Sequence, residues 1–342
     1  MKKTVKILFI SFLIIILICI GGIGTACYLL QSSDISPEAP ESLYIPSGSD
    51  YQKLLSLLDS AKIIKHPRRF DMIAKASHLP THIHAGKYLL SPSIGTLTFV
   101  RNLRSGNQQP VKVSFNNIRT LPQLAQRLSS QLEFDSADFI NTLLQDSTLE
   151  KYGVDSLTAI CIFIPNTYEC WWNSSPSSFI ARMYKEYEHF WNEQRLAKAE
   201  ELSFTPQEAI TLASIVEEEN FRADEQPRIA GLYINRLNKG MLLQSDPTVK
   251  FALGDFAKSR LLYKDLEIDS PYNTYKYAGL PPGPIRMASI SAIDAVLNHE
   301  HHPYLYMCAK EDFSGYHRFT QSAAEHALNA YRYHMALNQL KK

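Results

Sequence analysis

Neither sign of charge dominates this sequence: 35 Lys and Arg stand against 34 Asp and Glu, a formal net charge of +1. No basic stripe stands out along it. A surface built to neutralise a polyanion needs such a stripe, so nucleic-acid binding is disfavoured. Cysteine is scarce, with five in 342 residues. Cys19 and Cys27 fall in an apolar N-terminal run, and Cys161, Cys170 and Cys308 lie beyond it. Three is odd, so at least one stays unpaired within the chain. No Cys-x-x-Cys pair and no Cys/His ligand spacing occurs, which argues against zinc. His299, His301 and His302 look metal-like in composition, but no partner spacing completes a ligand set and they read as a solvated turn. No metal or cofactor is expected.

What is present begins at the N-terminus. Lys2, Lys3 and Lys6 precede an uncharged run of 24 residues, 7–30. That is enough to cross a hydrocarbon core of about 30 Å, and the lysines should stay cytoplasmic. The run is longer than the apolar part of a signal peptide, and no clear Ala-x-Ala site follows it. Residues 1–30 are therefore expected to be an uncleaved single-pass anchor of the cytoplasmic membrane, with the bulk of the chain outside the cytoplasm. Residues 31–41, with Pro37 and Pro40, read as a short linker.

The remainder reads as α+β, in two domains on length grounds. Residues 42–108 have the pattern of a small module. A strand at 43–46 is followed by a helix capped by Ser49 or Asp50, a second helix around Phe70 and Ile73, and a short strand at 86–90. The core of so small a module is thin. Residues 109–342 form the larger domain. Its expected elements are a strand at 111–115, helices at 120–132 and 136–144, a buried strand at 159–164 and a long helix over 177–202. A helix from Asp224 to about Lys239, a helix at 289–297, a hairpin over 304–319 and a closing helix follow. The loop SPYNTYKYAGLPPGP (270–284) is long, polar and aromatic. Its Asn, Thr and Tyr side chains suit carbohydrate, or else cap the turns of an ordinary surface loop.

One stretch carries the chemistry: TPQEAITLASIVEEEN, 205–220. Thr205 is a suitable N-cap, Pro206 fits the first helical position, and Glu208 completes a capping box. Ala209, Ile210, Ala213 and Val216 then recur at helical spacing. At about 100° per residue Glu217 falls on the line of Ile210 and Ala213, whereas Glu218 falls on the polar line of Gln207, Thr211 and Ser214. A carboxyl group at the end of a buried stripe is desolvated, which suits a general acid. The competing reading is an acidic helix end with all three glutamates in solvent.

Several separate blocks, taken together and in order, resemble the YceG-like family of endolytic murein transglycosylases. They are IPNTYE (164–169), ASIVEEEN (213–220), AGLYINRLNKGMLLQSDPTV (230–249), YNTYKYAGLPPGPI (272–285), PYLYM (303–307), HRF (317–319) and a later EH (325–326). The resemblance spans roughly residues 42–335 and implies a LysM-like first module and a YceG-like catalytic domain. It implies a membrane-bound lytic enzyme that cuts the MurNAc-β-1,4-GlcNAc bond of nascent glycan strands, leaves a 1,6-anhydroMurNAc end and so terminates strand elongation. Peptidoglycan synthases are implied as neighbours. The family's acid is taken as the first acidic residue after the Ile-Val pair, here Glu217. Glu225, Gln244, Asp246, Thr248, Asn273 and Tyr275 match polar motif positions and are expected to line the sugar cleft. This sequence has Asn166 where the family often has Asp, Ser245 for a common Thr, and Ala327 for a common Asn.

That chemistry needs one carboxyl group, which protonates the leaving oxygen and then takes the proton of the muramyl 6-hydroxyl as that oxygen closes on C1. A hydrolytic muramidase on the same scaffold would need a second carboxylate to position water, with Glu225 or Asp246 as candidates. A non-catalytic peptidoglycan-binding protein would use only the small module and the aromatic loop.

Overall fold

A computed structural model describes residues 2–258 and 260–340, and leaves the side chains of residues 2–8, 10, 23, 26, 27, 29 and 340 outside the described set. The chain divides into two compact units. The first comprises Met1–Lys112 with Gln131–Glu133 and Glu169–Ser174, and the second the remainder.

In the first unit the helix Lys2–Gln31 leads into an antiparallel pair, Ser42–Ile45 with Gly86–Leu89, in which Leu43 faces Tyr88. Helices Tyr51–Ser60, Pro67–Ala76 and Thr96–Ser105 pack Leu54, Phe70, Ile73 and Phe99 into one core. Asp50 caps the first of these, accepting from Lys53 N at 2.7 Å. Residues 31–41 are not a free spacer. Asp34 and Ile35 are buried, and Ser36 N donates to Ile63 O at 2.8 Å. The Asp34 carboxylate receives Arg69 Nε at 2.6 Å and Thr96 Oγ1 at 3.1 Å, with His66 Nδ1 at 2.8 Å. A buried carboxylate is tolerated because these donors replace its water. Part of the expected anchor lies outside the described residues, and among the described residues no helix is long and apolar enough to cross a membrane.

The second unit is built around the helix Pro206–Glu219. The capping box forms as expected: Glu208 N donates to Thr205 Oγ1 and Thr205 N to Glu208 Oε2. Such a cap stabilises a helix start by about 1 kcal/mol. The helix is not amphipathic. Every residue from Ala209 to Glu217 is buried, including Thr211 and Ser214, whose hydroxyls donate to Gln207 O and Thr211 O. It packs in one core with Ile229, Ala230 and Tyr233 of the helix Gln226–Asn238 and Ile293 and Val296 of the helix Ile290–Leu297. Gly231 is needed there because a Cβ would run into the Glu300 backbone carbonyl. The hairpin Tyr306–Ala309 with His317–Thr320 closes one side, Met307 facing Phe319.

Two expected elements differ. Residues 159–164 are not a strand: Ala159–Ile162 form a 3-10 turn, set by Asp155 Oδ1, which accepts from Leu157 N and Thr158 N at 2.9 and 2.8 Å. The long helix breaks in two, Pro176–Phe190 and Glu193–Glu201, because Asn192 caps the second by accepting from Arg195 N at 3.0 Å.

Candidate active site

The three glutamates at the end of the Pro206–Glu219 helix divide their partners: Glu217 and Glu218 share Arg286, and Glu219 has a set of its own. Glu217 is buried. Its Oε2 accepts from Ser289 N at 2.8 Å and lies 3.8 Å from Arg286 Nε. Glu218 is clamped between Arg286 Nη1 at 2.6 Å and Arg119 Nη2 at 2.9 Å. These two carboxyl groups therefore fasten the helix end to the chain around Arg286.

Glu219 faces the other way, into a polar cavity of about 410 Å³. Its Oε1 accepts two hydrogen bonds, from Tyr233 OH at 2.6 Å and from Ser245 Oγ at 2.5 Å. Burial raises its pKa above the ordinary 4.5, and the Ser245 and Tyr233 hydrogen bonds pull it only partly back. Both donors sit on one oxygen, so the carboxylic proton belongs on Oε2, the oxygen they leave free.

The other walls of the cavity come from separate segments. Gln244 takes a left-handed backbone, φ 51°, and its N–H is held by Thr274 O at 3.1 Å, so the chain turns Ser245 towards Glu219. Asp246 accepts from Tyr275 OH at 2.6 Å, and both line the cavity. His317 enters from the hairpin. Glu225, buried behind it, takes His317 N and Nδ1 at 2.8 Å each, and Asn220 Nδ2 at 2.6 Å. Burial pushes Glu225 up, but the His317 and Asn220 hydrogen bonds outweigh it and hold the carboxylate below 4.5. A carboxylate at Nδ1 puts the imidazole proton there and leaves Nε2 as the free face. His326 also lines the cavity, its ring stacked on Tyr306 at 5.4 Å. Burial and the nearby Arg236 lower its pKa, so it is a neutral wall near pH 7.

Of the expected site residues, Gln244, Asp246 and Tyr275 line this cavity. The other four do not. Glu217 ends on Ser289 and Arg286, away from the lining. Glu225 stands behind His317. Thr248 is fully buried and bonds Ser245 O at 2.7 Å, with the Thr274 hydroxyl at 2.8 Å. Asn273 is also fully buried. It donates to Leu266 O and Ile268 O and accepts from Tyr275 N, so it shapes the loop that carries Tyr275. The residues missed were Glu219, Tyr233, Arg236, Ser245, His317 and His326. For Glu219 a signal existed: Leu212 and Ile215 precede it by seven and four residues, an apolar line as good as that of Glu217.

Comparison with known proteins identifies relatives along most of the chain. A family profile described as the YceG-like family matches residues 43–332. An endolytic murein transglycosylase of Bacillus subtilis is 31% identical over 317 residues, 87% of this chain and 86% of its own length. One of Streptococcus pneumoniae is 30% identical over 339 residues, 89% of this chain and 61% of its own. A crystal structure of a yceG-like protein from Listeria monocytogenes superposes with a TM-score of 0.56 at 31% identity, covering 86% of this chain and 99% of that one.

Proposed function

The chain belongs to the YceG-like family, and from that premise we propose that it is an endolytic murein transglycosylase in which Glu219 is the acid. The observation that carries this reading is the Glu219 carboxyl group. It holds its proton above the ordinary range, has one oxygen clasped by Tyr233 and Ser245, and turns the other to a polar cavity.

The chemistry runs through that one group. Glu219 Oε2–H donates to the oxygen linking MurNAc C1 to GlcNAc as the C1–O bond breaks and positive charge develops at C1. The Tyr233 and Ser245 hydroxyls stabilise the carboxylate so formed. Oε2 then takes the proton of the muramyl 6-hydroxyl, O6 closes on C1, and the acid is restored. No water is consumed, and the product end is 1,6-anhydroMurNAc. Asp246, Tyr275 and His317 line the same cavity, and their polar atoms are suited to sugar hydroxyl and acetamido groups.

Strand termination during elongation follows from an endolytic cut in nascent strands. The N-terminal helix is proposed as a cytoplasmic-membrane anchor with the second unit outside the cytoplasm: Phe9, Phe12, Leu17, Ile18 and Ile20 are all exposed on it, and lipid is the solvent that suits them. The LysM-like character of the first unit and a synthase partner rest on family resemblance. A hydrolytic muramidase is favoured by one observation, the second carboxylate Asp246 in the same cavity.

Mass analysis of digested strands tests the reading, because hydrolysis adds one water to the new end. Glu219→Gln is expected to abolish release of anhydro ends, and Glu217→Gln to retain the acid. Cleavage at the wild-type rate by Glu219→Gln, or loss of it in a folded Glu217→Gln protein alone, overturns the assignment of the acid.

A further inference from the structure

Arg236 is 7% exposed, and part of that surface lines the cavity that holds Glu219. Backbone carbonyls fix the guanidinium: Nε donates to Leu305 O at 2.6 Å, and Nη1 to Leu243 O at 2.7 Å and Leu242 O at 3.3 Å. The Tyr306 ring lies 5.3 Å from its centre. Among the described residues nothing accepts from Nη2, and no carboxylate lies within ion-pair distance of the group. A buried cation without a counter-charge is costly, and a rigid donor left open towards a cavity is suited to complete a ligand. Arg236 lies one helical turn after Tyr233, which clasps the acid, so the open donor and the acid are fixed relative to one another.

We propose that Arg236 Nη2 binds the carboxyl oxygen of the lactyl ether on C3 of the muramyl ring being cut. The inference rests on the reading of the cavity as a glycan-strand cleft. N-acetylglucosamine offers only hydroxyl and acetamido groups. The lactyl substituent is the one carboxyl-bearing group on either sugar flanking the bond, and it sits on the ring whose C1 reacts. Its contact with Arg236 orients the strand, so that the acid reaches the bond on the C1 side of the muramyl sugar and not the alternate linkage. The lactyl group is a carboxylate in stem-free strands and an amide in stem-bearing ones. A guanidinium bonds a carboxylate more strongly than a neutral carbonyl, so stem-free strands bind better.

Binding to the Glu219→Gln protein, in which turnover is expected to be lost, tests this with three probes of equal length: a MurNAc–GlcNAc tetrasaccharide with free lactyl groups, its lactyl methylamide, and chitotetraose. The free acid is expected to bind about tenfold more tightly than the amide, with chitotetraose weaker again. Added salt should narrow the first gap. In the Glu219→Gln background, Arg236→Gln should abolish the preference for the free acid. Equal affinity for all three probes, or a preference that survives in folded Arg236→Gln protein, overturns the proposal. If that variant does not fold, the ranking of the three probes on the protein with Arg236 intact decides. Residual cleavage by Glu219→Gln would instead refute the acid and leave the ranking readable.

Discussion

Replacing Tyr233 with Phe removes one hydroxyl from the Glu219 clasp and little else. The ring is 2% exposed and belongs to the core beside Ile229 and Leu232, so its packing persists. The hydroxyl donates to Glu219 Oε1 at 2.6 Å and lowers that group's pKa. A hydrogen bond to an ionised group is worth about 1.5–3 kcal/mol, and one to a neutral group about 0.5–1.5 kcal/mol. The ionised form therefore loses about 1–1.5 kcal/mol more than the protonated form, close to one pH unit at 1.36 kcal/mol per unit. The acid becomes harder to ionise, so the alkaline limb of kcat/KM, where the proton is lost, should move up by about one unit. The assay is release of anhydro-ended fragments across pH, with near-ultraviolet circular dichroism as the check on folding. A limb that stays in place, or moves down, in a folded variant would refute the clasp as the device that tunes the acid.

Glu217→Gln should cost about 1–3 kcal/mol of stability, read as a lower denaturation midpoint, because Arg286 loses its second carboxylate. Glu225→Gln turns an amide donor towards His317 and Asn220 and should cost about 2–4 kcal/mol. The Glu225 pKa is depressed, so its stabilisation is present above about pH 4.5 and fades as pH falls through the folded value; the gap to wild type should close in acid. Glu219 has the opposite sign. Its raised pKa costs stability as pH climbs past 4.5, since the unfolded chain releases the proton first; Glu219→Gln should therefore gain in melting temperature relative to wild type as pH rises above 4.5, until the folded-state carboxyl group also ionises. Gly231→Ala should cost about 1–3 kcal/mol, because its methyl group meets the Glu300 carbonyl, and an unchanged melting temperature would contradict that contact.

Much of this protein was legible in one dimension because its signals are local. The capping box at Thr205 needs four consecutive residues, and the hairpin needs two alternating segments and a turn; both form where the sequence puts them. The family, too, was readable from the ordered motif blocks. The division of labour among Glu217, Glu218 and Glu219 was not. Helical phase separates faces only when one face is wet, and this helix is buried on all sides from Ala209 to Glu217. Ile210 and Ala213 point to Glu217, and Leu212 and Ile215 point equally to Glu219. What distinguishes them is the company each keeps across the chain: Ser289 and Arg286 for one, Tyr233 and Ser245 for the other. Likewise Thr248 and Asn273 carry polar side chains fit for sugar, but burial spends them on backbone carbonyls and neighbouring hydroxyls. The sequence determined that an acidic helix end, a polar turn and an aromatic loop exist. Only the tertiary structure decided which carboxyl group meets the cavity, because desolvation and hydrogen bonding at that point come from segments distant in the chain.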